Sequence, residues 1–181
     1  MPITLNGSGT VSGISAGGLP DGIIQSADLA TGVGGKIIQV VSNTKTDTGS
    51  SSVTGGNLTN HILTQAITPS SSSNKVLVQF HVVISFTATA NRVAAVITRD
   101  DTPVGVAADT GDNKTENTVC LRVPNVNEPY TLSGSFLDTP SSTSAVTYGI
   151  KIRTGTSSTI TIYFNRQGTE SDNIYIMRGT S

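Results

Sequence analysis

The chain has 181 residues, of which 13% are charged and 4% aromatic, and it carries no Trp; that length suits one domain, or one domain plus a short appendage. A net charge of -1 excludes a general electrostatic attraction to nucleic acid or anionic lipid, and no apolar run approaches the roughly 20 residues a membrane helix needs. The single cysteine, Cys120, can make neither an internal disulfide nor a thiolate zinc site.

Residues 1–35 are rich in Gly, Ser and Ala, and their apolar residues come singly or in pairs. Met1 to Gly18 holds no Lys or Arg and no apolar stretch, which is not the pattern of a secretory signal. No strand of ordinary length fits the segment, and one helical turn at Ser26-Ala27-Asp28-Leu29-Ala30 is the most it supports. Leu19, Ile23, Ile24, Leu29 and Val33 cannot be buried within so sparse a chain. They are expected to anchor the protein on identical neighbours around a symmetry axis or on a docking surface; a flexible linker is the plainer alternative.

From Lys36 onward the pattern changes. Thr, Val and Ile are abundant, and Ser and Thr together number 49 along the chain. That composition favours strands over helices. Strands are expected at 36–41, 62–67, 75–87, 92–99, 104–107, 118–123, 130–137, 145–153, 159–165 and 174–177, with turn signals between them. Gly49-Ser50-Ser51-Ser52 reads as part of such a turn. Strands this short and regularly spaced predict an all-β fold, an antiparallel β-sandwich with a jelly-roll-like form over 36–181, preceded by the extended Gly-rich segment 1–35.

Period-two alternation supports this. Val76, Val78, Phe80 and Val82 alternate with Leu77, Gln79 and His81; Tyr148, Ile150 and Ile152 alternate with Lys151 and Arg153. The expected core is Val76, Val78, Phe80, Val82, Ile84, Val93, Ala95, Ile97, Phe136, Ile150, Ile152, Ile160, Ile162, Phe164, Ile174 and Ile176.

Chemistry-bearing residues are few. His61 and His81 sit in different strands with no ligand spacing between them, so they read as solvated or hydrogen-bonded side chains rather than metal ligands. Cys120 lacks a basic partner and a sharp turn, so it reads as a small buried core residue. The acidic stretches containing Asp100, Asp101, Asp109 and Asp112 lack the calcium-loop spacing and its closing Glu. No nucleophile elbow, zinc-binding helix motif, phosphate loop or paired carboxylate pattern is present. The expectation is a non-enzymatic protein with no cofactor and no metal. Asp100, Asp101, Asp109, Asp112 and Tyr130 lie in or beside the loops best placed to contact a receptor.

Several blocks carry a resemblance. Gly17-Gly18-Leu19-Pro20-Asp21-Gly22-Ile23-Ile24-Gln25-Ser26-Ala27-Asp28-Leu29-Ala30, then Gly35-Lys36-Ile37-Ile38-Gln39-Val40-Val41-Ser42 and Ile67-Thr68-Pro69-Ser70, resemble virion proteins of tailed phages, notably those infecting aquatic bacteria. Ser135-Phe136-Leu137-Asp138-Thr139-Pro140 and Asn165-Arg166 are similar to the same group. The resemblance implies a homotrimer on the exterior of a phage particle. A short stalk would carry a sandwich knob, as a capsid decoration protein or a short tail fibre held by other capsid or tail proteins. It leaves a receptor-binding role towards host-surface glycan as the alternative. Similar proteins carry one more short apolar strand beyond Arg178-Gly179-Thr180-Ser181, so the resemblance implies that this strand is absent here or replaced by another segment or subunit.

Overall fold

The computed structural model describes residues 37–88, 92–108 and 116–168. The expected anchor residues Leu19, Ile23, Ile24, Leu29 and Val33 lie outside that range, as do Asp109, Asp112 and the expected strand with Ile174 and Ile176. The chain divides into two compact units at Val40–Val41. Of the first unit only 37–40 is described; it has no regular secondary structure, and Ile37, Ile38 and Val40 are exposed.

Among its described residues the second unit holds nine strands: β1 (Gly49–Thr54), β2 (Leu63–Ile67), β3 (Val76–Phe86), β4 (Val93–Arg99), β5 (Thr102–Val104), β6 (Val119–Leu121), β7 (Tyr130–Asp138), β8 (Val146–Thr154) and β9 (Thr159–Phe164). All pairings are antiparallel. One sheet has the order β1-β9-β3-β7; the other has β2-β8-β4, with β5 and β6 both lying along the remaining edge of β4. Counting β5 and β6 as one interrupted strand, this is the jelly-roll order of two four-stranded sheets. The protein is an all-β antiparallel sandwich.

The core lies between the sheets. Val53, Val82, Ile84, Phe86, Leu132, Ile160, Ile162 and Phe164 from the first sheet meet Val93, Ala95, Ile97, Val146, Tyr148, Ile150 and Ile152 from the second. Full burial of one such aliphatic or aromatic side chain contributes about 1.5–3 kcal/mol. Gly105 closes the margin: its positive φ of 62° and lack of a side chain let the Phe136 ring lie against it.

Several expectations are corrected. Residues 37–41 form no strand, although their β-branched run has high strand propensity. Propensity needs a pairing edge, and the edge of β9 is occupied by β1. That strand is Gly49–Thr54, the Ser-rich stretch expected to be a turn; only Gly55-Gly56 after it turns, with φ of 34° and 74°. β5 starts two residues earlier than expected because a two-residue turn returns the chain to pairing at once.

Val76, Val78, Phe80 and Phe136 are half-buried rather than fully buried. β9 pairs with β3 only at Ile84–Phe86, so the first part of β3 and its partner β7 lie at the sandwich margin. β4 is buried on both faces: Ala94, Val96 and Thr98 are covered as well as Val93, Ala95 and Ile97. Its unbroken apolar run is the sequence form of a strand covered on both sides.

Cys120 is exposed, not a core residue. It is paired with Ala94 in register, and the inward positions beside it are Val119 and Leu121. We expect the native protein to react with a thiol reagent such as DTNB to one equivalent per chain within minutes. Reaction only after denaturation would place the thiol inside the sandwich.

Candidate functional site

A cluster of hydrogen-bonded polar residues gathers at the β4–β5 turn. Arg99 and Thr102 are the last registered pair, so Asp100 and Asp101 form a two-residue turn. Both have positive φ, 47° and 70°, as a type I′ turn requires. Aspartate tolerates this conformation better than most residues, but glycine adopts it without steric cost. Hydrogen bonds to β8 offset the cost. Asp100 donates its N–H to the Thr147 carbonyl at 2.8 Å, and Thr147 N–H returns a bond to Asp100 Oδ1 at 2.8 Å. Lys151 Nζ meets Asp101 Oδ1 at 2.5 Å and holds that carboxyl below its ordinary range.

His61 completes the cluster. Its ring lies over Gly149, where any side chain would collide with it. His61 Nε2 is 2.8 Å from Thr98 Oγ1 and 3.5 Å from Asp101 Oδ1. Thr98, fully buried, donates to the Gly149 carbonyl at 3.3 Å. A proton on Nε2 fits this arrangement, since both neighbouring oxygens then accept. The distance to Asp101 suggests an ion pair, which would raise the imidazole pKa. Burial lowers it, the Lys151 charge lowers it further, and these two outweigh Asp101. His61 is therefore neutral at pH 7, and its contact with Asp101 is not an ion pair.

This sets a pH dependence. The folded protein takes up the His61 proton less readily than the unfolded chain, whose imidazole has the ordinary value of 6.5. The contribution is complete above that value and is lost as pH falls below it towards the lowered folded value. Melting temperature should therefore fall from pH 7 to pH 5 more steeply in the parent than in His61→Gln. Parallel profiles would remove His61 as the source.

The polar atoms of the cluster are spent on one another and on β8, which secures the hairpin to the outer face of its sheet. Among the described residues no three His, Cys, Asp or Glu side chains converge. His81 is exposed on the outer face of β3, opposite Ser133 and remote in the fold from His61.

Tyr130 lies elsewhere. Arg99 Nη1 binds Asp138 Oδ2 at 2.7 Å, so the β4–β5 turn sits at the Asp138 end of β7. Tyr130 begins that strand, eight residues away or about 27 Å. Asp100 and Asp101 thus occupy the opposite end of the sandwich from Tyr130. The Tyr130 hydroxyl accepts from Asn125 N–H at 3.0 Å and donates to the Asn125 carbonyl at 3.2 Å. Its ring packs 6.4 Å from that of Phe86. These bonds tie down the loop before β7. On the outer face of this same first sheet, the Arg166 guanidinium lies 4.0 Å from the Tyr163 ring centre. There Ser52 meets Thr161 at 3.3 Å and Thr54 meets Thr159 at 2.6 Å, hydroxyl to hydroxyl.

Sequence reasoning marked Asp100, Asp101 and His61 but missed Lys151 and Thr98 as their partners. The signal for Lys151 was its place on the polar side of β8; nothing local linked it to residue 101, fifty positions earlier. A scan against protein-family models found no match, and a search of curated proteins found no similar sequence.

Proposed function

We propose that this protein is a non-enzymatic structural component of a tailed-phage virion. In this reading it is a trimeric knob exposed on the particle, anchored by residues 1–35 to capsid or tail proteins, as a decoration protein or short tail fibre. The observation that carries the reading is the run Ile37, Ile38 and Val40, which is 84%, 65% and 77% exposed directly after the Gly-rich segment. Three large aliphatic side chains within four residues are costly to leave in water, and such a patch marks a surface that other chains cover. Leu77 and Leu137, directly paired across β3 and β7 and both more than half exposed, form a second such patch. The jelly-roll order and the sequence blocks that resemble phage virion proteins agree with the same role.

Light scattering of the purified chain tests it. Three copies per particle are expected, and a stable monomer at micromolar concentration would refute the trimer. Removing residues 1–35 should abolish association with phage particles while leaving the sandwich folded. Full occupancy by the truncated protein would show that the anchor lies elsewhere.

A further inference from the structure

Three arginines share one face of the second sheet. Arg153 lies on β8, on the outer side with Lys151, opposite the inward Ile152. Arg92 immediately precedes β4. A side chain on Gly155 would touch Arg92 Cβ, which places Arg92 on the Gly155 face, and two residues along β8 that is also the Arg153 face. Arg122 immediately follows β6. Leu121 points into the core and Val123 is buried in it, so Arg122 points outward between them. Continuing the Val93–Leu121 register by one position sets Arg92 opposite Arg122.

Directly opposed side chains on neighbouring strands have Cβ atoms about 5 Å apart, and diagonal neighbours about 7–8 Å. Arg92 therefore stands about 5 Å from Arg122 and about 7–8 Å from Arg153, while Arg122 and Arg153 lie on either side of β4, about 10 Å or more apart. Such an arrangement is unfavourable unless something neutralises it, because like charges across a sheet repel. Among the described residues none of the three forms an ion pair, and Glu116 is the acid whose charge acts on Arg153. Lys151 is already paired with Asp101. Arg153 Nε is buried and has no hydrogen-bond partner, leaving a donor unsatisfied at the floor of the patch. In a chain with only 11 Lys and Arg and a net charge of -1, this is a concentrated positive site on a nearly neutral molecule.

We propose that Arg92, Arg122 and Arg153 form a binding site for the anionic groups of an acidic polysaccharide. The guanidinium fork matches carboxylate and sulfate oxygens in two-point contact. Ala94, small and flanked in register by Cys120 and Arg153, adds no bulk between the Arg122 and Arg153 positions. The chemistry favours an acidic glycan over single-stranded nucleic acid because the described residues offer no exposed aromatic ring on this face for an unpaired base to stack upon. Tyr148 points into the core, and Tyr163 belongs to the other sheet. The site needs only the folded sandwich and is independent of any role in a virion.

The test is binding of the full chain to immobilised dextran sulfate, alginate, neutral dextran and oligo-dT between 50 and 200 mM salt. The parent should bind dextran sulfate or alginate, and the better of the two identifies the anion; neutral dextran should not bind. The double variant Arg92→Gln/Arg122→Gln changes two exposed residues outside the strands, so its melting temperature should match the parent's. Its affinity should drop at least about ten-fold at the lowest salt. The slope of log affinity against log salt should shrink by about 1.4, or about 0.7 for each lost cation on a flexible polyanion. Equal binding by parent and double variant overturns the site. So does failure of the parent to bind either acidic glycan. Tighter binding of oligo-dT than of dextran sulfate, lost in the double variant, overturns the glycan assignment in favour of nucleic acid.

Discussion

Asp138→Ala should lower the unfolding free energy by about 2–3 kcal/mol. Asp138 is 6% exposed and accepts two strong hydrogen bonds at one oxygen, from Arg99 Nη1 at 2.7 Å and from the Tyr148 hydroxyl at 2.6 Å. Arg99 belongs to β4 and Tyr148 to β8, whereas Asp138 ends β7, so this group joins the two sheets. Burial and the Asp138 carboxylate together push the Tyr148 hydroxyl pKa well above its ordinary value. Removing the carboxylate strands a cation and a buried hydroxyl together, and the loss of one partner from a buried pair costs about 3–5 kcal/mol. The Arg99 side chain is 30% exposed and can still reach water, which brings the expectation to the lower figure. Tyr148→Phe removes only one bond and should cost about 1 kcal/mol. Urea unfolding of the two single variants and their double measures both effects. Independent, additive losses would show that the three side chains do not act as one unit.

Asn165→Ala should cost about 3 kcal/mol, and Asn165→Gly about 1 kcal/mol less. Asn165 is fully buried, follows β9 and has a φ of 58°. Its side-chain amide donates to the carbonyls of Lys45 at 2.9 Å and Asp47 at 3.0 Å, and its N–H donates to the Val83 carbonyl at 2.9 Å. It therefore fixes the segment that leads into β1. Either substitution leaves two carbonyls without their donor, at about 1 kcal/mol each. Alanine adds about 1 kcal/mol for a left-handed conformation that glycine adopts freely. Chemical denaturation measures the difference, and hydrogen exchange should show faster opening of β1 in both variants. If the alanine and glycine variants are equally stable, backbone conformation contributes nothing at this position.

Both predictions concern residues that local reading passed over. Asp138 ends β7 and Asn165 follows β9, and the local pattern assigned neither a structural role. What gives each its role is a partner 39 positions away for Asp138 and 118–120 away for Asn165. No periodicity reports contacts at that separation. The candidate site divides the same way. Asp100-Asp101 was legible as a turn between two apolar runs, but the carboxylates face β8 because the hairpin folds over that strand. The positive patch was half legible: Arg153 stood on the polar side of its strand, while its convergence with Arg92 and Arg122 depends on the order of strands in the sheet.

The low charge, the Ser and Thr excess and the period-two apolar pattern were sufficient to establish an all-β sandwich and the inward face of most strands. They did so because burial on one side of a pleated strand imposes a local rule that alternate residues obey. Which segment takes an edge obeys no such rule. Ile37 to Val41 has the stronger strand propensity, yet the Ser-rich Gly49–Thr54 pairs with β9. There Val53 enters the core and the hydroxyls of Ser52 and Thr54 meet Thr161 and Thr159. The burial of both faces of β4, the exposure of Cys120 and the convergence of three arginines were likewise decided by neighbours distant in sequence. Many Ser and Thr hydroxyls of the described strands face outward; the pairing of strands decides what those surfaces hold together.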